Sequence, residues 1–175
     1  IRSYTGFTAP VTDIELADLD KDGFQEIIVG TTDNLYVYKL GMGGDSVPIF
    51  GLWRLHNFGN DEDTKLNGAN AVASGDINGD GTLDIVSIDN QIQGKGTLHV
   101  YSGSGATGYT EITYEEVYGQ AVEVGDVDED GQNEIVAGIN DGSDNLGVVF
   151  YKYIIGNEPY LDPVWFTETH GTDPI

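Results

Sequence analysis

The chain has 175 residues, enough for one ordinary domain with a real core. Its 30 acidic residues against 7 basic ones give a formal charge of −23, which excludes nucleic-acid binding by phosphate neutralisation and argues against an anionic membrane surface as partner. No Cys is present, which excludes disulfides and thiolate metal sites, and no apolar run approaches the roughly 20 residues of a membrane-inserted helix.

One pattern occurs three times along the chain. In each copy, alternating apolar residues are followed by an acidic nine-residue stretch with Gly at its sixth position and then by a compact apolar run. The nine-residue stretches, called acid loops 1, 2 and 3 below, are 18–26, 76–84 and 126–134. Their first aspartates are 58 (76 − 18) and 50 (126 − 76) residues apart. Such a period predicts a tandem array of one supersecondary unit.

The flanks of the acid loops predict four short strands in each copy. The first strand precedes the loop, and the apolar runs at 27–29, 85–86 and 135–136 predict a buried second strand. Third strands are expected at 35–38, 98–101 and 148–151, and fourth strands at 50–57, 109–117 and 163–169. Trp53 and Trp165 occupy equivalent places in the fourth strands. With no sustained helical periodicity, the sequence predicts an all-β fold of three four-stranded β-propeller blades.

The blade count sets the expected domain organisation. We expect repeats at about 9–59, 60–119 and 120–171, with 1–8 as the outer strand of a preceding blade. Propellers close with about four to eight blades, so three predict part of a larger propeller or a ring completed by another chain. An isolated set of three would leave two apolar faces in water, which favours association.

The acid loops follow the pattern Asp-x-[Asp/Asn]-x-Asp-Gly-x-x-[Asp/Glu]. Three or four carboxylates within nine residues repel one another unless a cation lies between them, and Ca²⁺ accepts about six to eight oxygens at roughly 2.3–2.6 Å in tolerant geometry. The Gly at position six permits a left-handed turn, and position seven would offer only its carbonyl oxygen. The sequence therefore predicts three Ca²⁺ sites. Their ligand residues would be Asp18, Asp20, Asp22, Phe24 and Glu26; Asp76, Asn78, Asp80, Thr82 and Asp84; and Asp126, Asp128, Asp130, Gln132 and Glu134.

The acid loops differ from an EF-hand, from a magnesium site and from a plain hairpin turn. An EF-hand places its bidentate Glu at position twelve, where this chain has Val29, Ser87 and Ala137. The acid at position nine directly precedes an apolar strand, so each loop joins two strands. Mg²⁺ requires tight octahedral geometry, and a hairpin turn that binds no metal does not account for three copies of one ligand pattern.

The residues around the third loop resemble a known family. The segment 118–131, Tyr-Gly-Gln-Ala-Val-Glu-Val-Gly-Asp-Val-Asp-Glu-Asp-Gly, is similar to the signature of FG-GAP (integrin α-type) and VCBS repeats, and 68–86 matches well too. Copy one departs by having Ala17 where a Gly is usual. The resemblance implies a calcium-bearing β-propeller with one ion in each motif-bearing blade. It also implies a mostly extracellular, secreted or cell-surface protein that serves adhesion, carbohydrate binding or protein interaction, or that forms the body of a polysaccharide lyase.

Between these functions, the sequence favours a non-catalytic interaction scaffold. We expect calcium and a protein or glycan ligand, further blades or self-association as partners, with the lyase as the alternative. The pattern offers no acid or Ser partner for any histidine, and Arg54 with His56 is the one pair suggestive of a lyase. No catalytic residue is therefore predicted. The Gly/Ser-rich segments 40–47 and 102–108 are candidate ligand loops, expected on the face opposite the acid loops.

Overall fold

The computed structural model describes residues 7, 9–42, 48–57, 69–89, 96–104, 108–117, 119–140, 146–156 and 159–168, which contain twelve β-strands and no helix. In chain order the strands are β1 (Val11–Ala17), β2 (Glu26–Thr31), β3 (Asn34–Met42), β4 (Pro48–Asn57), β5 (Ala69–Gly75), β6 (Asp84–Asp89), β7 (Gly96–Ser104), β8 (Gly108–Val117), β9 (Gly119–Gly125), β10 (Glu134–Asn140), β11 (Leu146–Ile154) and β12 (Tyr160–Glu168). Within this described part of the chain, no helix is long and apolar enough to cross a membrane.

The strands form three antiparallel sheets of four. In each sheet every strand pairs with its sequence neighbours, giving sheet 1 (β1–β4), sheet 2 (β5–β8) and sheet 3 (β9–β12). The predicted all-β fold and the four strands of each copy are confirmed. Trp53 pairs with Val37 and Trp165 with Phe150. Because Val37 and Phe150 occupy the same position of their third strands, the predicted equivalence of the two tryptophans is confirmed by the register.

Two apolar interfaces join the sheets, and sheet 2 contributes to both. The interface of sheets 1 and 2 contains Ala17, Leu19, Ile28, Leu35, Val37, Ala69, Val72, Ile85 and Tyr101. The interface of sheets 2 and 3 includes Ala71, Ala73, Val86, Ile88, Leu98, Val100, Val122, Ile135, Ala137, Val149 and Tyr151. Consecutive residues of a strand point to opposite faces, which is why β6 is buried along its whole length. Its apolar run is the signature of a strand covered on both faces.

The first strands of the sheets lie close together, and one glycine marks the closest approach. A Cβ added to Gly75, the last residue of β5, would lie 2.2 Å from Cγ1 of Val124 on β9. At the position of Gly75, sheet 1 has Ala17; at the position of Val124, sheet 2 has the smaller Ser74. Copy one therefore has Ala17 in place of the usual Gly at the point where the neighbouring side chain of sheet 2 is the smaller Ser74.

Strand β1 presents different chemistry on its two faces. Asp13 Oδ2 accepts the Val72 backbone N–H at 3.0 Å, and Glu15 Oε1 accepts the Ser74 hydroxyl at 3.1 Å, so this face is bonded to β5. On the alternate positions, Ile14 is 57% and Leu16 is 52% exposed. Sheet 1 therefore has apolar residues on the face that is turned away from sheet 2.

The segment 1–8, expected to be an outer strand, lies outside the described residues except for Phe7. The Phe7 ring lies edge-on to Tyr36 and Tyr38 of β3, with centroid distances of 5.4 and 5.9 Å. This contact is on the same face of sheet 1 as Ile14 and Leu16, because Tyr36 pairs with Val29 and Val29 pairs with Ile14. The predicted repeat boundaries stay predictions.

Candidate metal centre

Each acid loop connects the first two strands of its sheet. The loops follow β1, β5 and β9 and end where β2, β6 and β10 begin. The glycine at position six has a positive φ in every loop, with values of +89° at Gly23, +83° at Gly81 and +90° at Gly131. A Cβ disfavours this conformation, so the left-handed turn expected from the sequence is confirmed.

The aspartates at positions one and five of each loop accept hydrogen bonds from backbone N–H groups of the same loop. The position-one aspartate accepts the N–H of the position-six glycine, with distances of 2.9 Å (Gly23 to Asp18), 2.8 Å (Gly81 to Asp76) and 2.9 Å (Gly131 to Asp126). The position-five aspartate accepts the N–H of position seven, with distances of 2.9 Å (Phe24 to Asp22), 2.8 Å (Thr82 to Asp80) and 2.9 Å (Gln132 to Asp130). At position seven, the Phe24 ring is 67% exposed, so the side chain itself takes no part in the loop.

The ninth residue of each loop is an acid with no access to solvent. Glu26 and Asp84 are 0% exposed and Glu134 is 1% exposed. One oxygen of each accepts the N–H of the second loop residue, at 2.9 Å from Leu19, 2.9 Å from Ile77 and 3.0 Å from Val127. Burial raises the pKa of Glu26, which the Leu19 N–H partly offsets. Burial likewise raises the pKa of Asp84.

The remaining oxygens of the buried glutamates face the interior of the loops. Oε1 of Glu26 and Oε1 of Glu134 are buried and accept no hydrogen bond. A buried carboxylate oxygen without a donor is costly unless a cation approaches it. Both atoms therefore mark the place where a positive charge is needed.

Carboxylate oxygens converge in two of the three loops. In loop 1, Asp18, Asp20 and Asp22 each place one oxygen within 4.8 Å of the others, and in loop 3 Asp126, Asp128 and Glu134 do the same. Two ligands on opposite sides of a Ca²⁺ ion lie about 4.8 Å apart at a typical distance of roughly 2.4 Å. The oxygens therefore span a volume that fits one such ion.

Acid loop 2 differs from the other two because the side-chain amide of Asn78 makes hydrogen bonds within it. Its third residue is Asn78, whose Oδ1 accepts the Asp80 N–H at 2.9 Å and whose Nδ2 reaches Asp84 Oδ1 at 3.5 Å. The same Nδ2 donates to Ser102 Oγ on β7 at 2.9 Å. The structure thus brings the predicted residues Asn78, Asp80 and Asp84 together, and Asp76 keeps one buried oxygen, Oδ1, without a hydrogen bond.

A lysine that was not among the predicted site residues enters loop 1. The ammonium of Lys39 on β3 contacts Asp20 Oδ2, lies 2.6 Å from Asp22 Oδ2 and is 3.7 Å from Glu26 Oε1. The hydrogen bond from this ammonium, with help from the Phe24 N–H, holds the pKa of Asp22 below its usual range. The carboxylates raise the pKa of Lys39, so the ammonium is charged at all physiological pH values.

Loop 3 contains an equivalent lysine. The ammonium of Lys152 on β11 lies 2.7 Å from Asp128 Oδ2, 2.5 Å from Asp130 Oδ2 and 3.4 Å from Glu134 Oε1. It lowers the pKa of Asp130. Lys39 follows Tyr38 and Lys152 follows Tyr151 at the same place of their third strands, and this shared position was the sequence signal that could have revealed them.

Neighbouring loops also contact each other. The Lys21 ammonium of loop 1 donates to the Gly81 carbonyl oxygen of loop 2. Asn133 of loop 3 donates through Nδ2 to the Asp76 carbonyl oxygen of loop 2 at 3.1 Å. The three loops therefore form one continuous acidic strip along one end of the sheets.

The expected position of the ligand loops was wrong. The segments 40–47 and 102–108 connect the third and fourth strands, and in an antiparallel meander the first and third connections share one end of the sheet. Ser102 beside Asn78 illustrates this. The described parts of these segments, 40–42, 102–104 and 108, therefore lie at the end that carries the acid loops, not at the opposite end. Residues 43–47 and 105–107 are outside the described part.

One histidine has two carboxylate partners that the sequence pattern does not show. His99 on β7 has its Nδ1 2.5 Å from Glu111 Oε1 on β8 and its Nε2 3.4 Å from Asp89 Oδ2 on β6. Burial alone would lower the pKa of His99, but hydrogen bonds with the two carboxylates outweigh it and raise the pKa. The partners lie on neighbouring strands, so sequence spacing does not reveal them.

The register of β4 is irregular at Arg54 and His56, the pair suggestive of a lyase. A β-bulge lies between them, so Arg54 pairs with Tyr36 and His56 with Leu35, two consecutive residues of β3. The side chains of this pair lie outside the described part of the structure, and so does His170.

These features define a tandem-repeat protein of four-stranded antiparallel sheets, each carrying an acidic loop between its first two strands. A family profile for FG-GAP-like repeats matches residues 18–87 and 76–137, which together cover all three acid loops. The chain belongs to the FG-GAP-like repeat family, as its resemblance to that family predicted. A comparison with curated protein sequences finds no match.

Proposed function

We propose that this chain is a calcium-stabilised part of a β-propeller that serves as a non-catalytic interaction module outside the cell. The observation that carries the proposal is the pair of buried glutamates, Glu26 and Glu134, each with one oxygen that accepts no hydrogen bond, in two loops whose carboxylate oxygens converge. In both loops an ammonium already lies among these oxygens, which supports a site built for a cation.

Ca²⁺ is the ion that suits the donor set. At the ligand positions, loops 1 and 3 each offer four carboxylates and loop 2 offers three and an amide, all hard oxygen ligands. The residues that would hold the ions are the three sets predicted above. Bound Ca²⁺ would neutralise acids that otherwise repel one another where the first two strands of each sheet join. Three ions would change the formal charge from −23 to −17.

Membership in the repeat family and the packing of the sheets support a propeller arrangement. The sheets are stacked face to face, with their first strands adjacent, as blades are around an axis. Ile14 and Leu16 would be covered by a preceding blade of the same kind. Such a blade could belong to the same chain or to another copy.

An extracellular location is proposed from the ion requirement. Calcium sites of modest affinity fill where calcium is millimolar, as outside cells. A strongly acidic surface stays soluble there. The ligand would be a protein or a glycan, bound by a surface and not converted.

The test compares melting of the chain in millimolar Ca²⁺, in Mg²⁺ and in EDTA by scanning calorimetry. We expect Ca²⁺ to raise the melting temperature well above that in EDTA and Mg²⁺ to have a smaller effect. The variant Asp126→Asn should lose part of the calcium effect. Glu116→Gln, an exposed acid on β8 outside the loops, is the matched control and should retain it. Equal melting in Ca²⁺ and EDTA would overturn the calcium part of the proposal.

A further inference from the structure

Two residues change together among the three copies. One is the residue at loop position three, and the other is the third-strand residue that follows Tyr38, Tyr101 or Tyr151. Loop 1 pairs Asp20 with Lys39, and loop 3 pairs Asp128 with Lys152. In loop 2 the pair is Asn78 and Ser102, with Nδ2 to Oγ at 2.9 Å. In every copy the two residues are in contact, although they are about 20 positions apart in sequence.

Because of this exchange, the side chains at loop positions one, three, five and nine, together with any ammonium paired with them, carry the same charge in all three loops. These side chains are called the cage of each loop below. The four ligand positions of loop 1 hold four carboxylates, which with the Lys39 ammonium give a charge of −3 (−4 + 1), and those of loop 3 with Lys152 have the same balance. Lys21 in loop 1 and Glu129 in loop 3 lie outside the ligand positions. The ligand positions of loop 2 hold three carboxylates, which also gives −3. The Lys21 ammonium contacts the Gly81 carbonyl oxygen of this loop, but among the described residues no ammonium forms an ion pair with its three carboxylates. A fourth carboxylate is therefore present where, and only where, the third strand supplies a lysine.

The lysines reach the oxygens that the ion would bind. Lys39 contacts three of the four predicted ligand side chains of loop 1, including the buried Glu26, whose Oε1 is without a hydrogen bond. Lys152 does so with the corresponding three in loop 3. An ammonium and a Ca²⁺ ion that shared three oxygens would be neighbouring cations and would repel each other. The two cannot occupy one cage together.

The lysine side chains are able to leave. Their exposed fractions are 26% for Lys39 and 24% for Lys152, so each ammonium has a path to water. A lysine is a compact charge on a flexible four-carbon chain. It can therefore swing out of the cage without a change in the strand that carries it.

We propose that Lys39 and Lys152 are resident cations that hold acid loops 1 and 3 together without calcium and are displaced when Ca²⁺ binds. They thus weaken calcium binding at these two loops and reduce their dependence on the ion for folding. Loop 2 has Ser102 at the corresponding place of its third strand and therefore no lysine there to compete. This inference rests on the proposed function, because it assumes that Ca²⁺ enters the same cages.

Calorimetric calcium titration of the whole chain tests the inference. Lys39→Met removes the charge and keeps the length, and we expect calcium binding at one site to become about tenfold tighter, the factor that one charge-assisted contact is worth. Lys152→Met should do the same independently, so the test survives if one variant fails to fold. Lys39→Arg is the matched control and should remain close to the original chain, since it keeps a cation at this position.

A gain-of-charge variant gives the reciprocal result. Ser102→Lys should weaken calcium binding at one site, because it supplies loop 2 with a competitor. In EDTA, Lys39→Met should melt at a lower temperature than Lys39→Arg. Calcium binding with the same constants in the original chain and both methionine variants would overturn this inference and leave the proposed function intact. If neither the original chain nor any variant binds Ca²⁺ at millimolar concentration, the proposed function itself fails.

Discussion

The contact between Gly75 and Val124 gives a sharp test of how sheets 2 and 3 pack. In Gly75→Ala, the new Cβ would lie 2.2 Å from Val124 Cγ1 and 3.1 Å from Val124 Cβ, so either the side chain or the strand must move. Overpacking of this kind costs about 1–3 kcal/mol. For a chain of 175 residues this corresponds to a melting temperature lower by about 2–12 °C.

The matched control is the same substitution one copy later. Gly125 ends β9 as Gly75 ends β5, but a Cβ added to Gly125 meets nothing within 4 Å. We therefore expect Gly125→Ala to change the free energy of unfolding by no more than about 0.5 kcal/mol. Urea unfolding monitored by circular dichroism, at fixed calcium concentration, measures both variants.

A second substitution shows whether the clash is the cause. Val124→Ala removes the methyl groups that the new Cβ would meet, so Gly75→Ala should cost much less in that background. The coupling energy of the double-mutant cycle is expected to be about 1–2 kcal/mol. Equal losses in Gly75→Ala and Gly125→Ala, or no recovery in the double variant, would refute the packing argument.

Two further predictions concern hydrogen bonds between strands and between sheets. Hydrogen bonds with Asp89 and Glu111 raise the pKa of His99, so the folded chain holds this proton more tightly than the unfolded chain does. The protonated His99 therefore contributes fully to the free energy of unfolding below its unfolded pKa of 6.5, and this contribution is lost as the pH rises through the folded pKa. The free energy of unfolding, measured by urea titration across this range, should fall with rising pH and be flatter in His99→Gln; parallel curves would contradict the assignment. Asp13→Ala leaves the Val72 N–H without its acceptor and should cost about 1–3 kcal/mol, whereas Asp13→Asn, which keeps an oxygen, should cost less. The two Asp13 variants can be compared by thermal melting, and equal, negligible losses would mean that this bond does not support the sheet interface.

The repeat was sufficient to predict the strands and the acid loops. Three aligned copies make the boundary between loop and strand visible, because Glu26, Asp84 and Glu134 directly precede apolar runs. The positive φ at position six followed from the glycine alone. These features depend on residues that are close together in the sequence, so they can be predicted from the sequence alone.

Contacts between strands were not predictable in the same way. Lys39 reaches loop 1 from β3, and Glu111 reaches His99 from β8, so both depend on the sheet register. The acid partners of His99 were not visible in the sequence, and the predicted end of the sheet for 40–47 and 102–108 was wrong for a related reason. Each required the order and direction of the strands, which spacing along the chain does not display.

The Lys21 and Asn133 contacts join loop 2 to both neighbouring loops, so the proposed ion sites of the acidic strip share contacts. When two sites share a contact that differs between their filled and empty states, each alters the affinity of the other by the same factor. Occupancy of loop 2 would then be transmitted to both neighbours, and theirs back to it. A cooperative response of this kind would make the rigidity of the whole edge change over a narrow range of ion concentration.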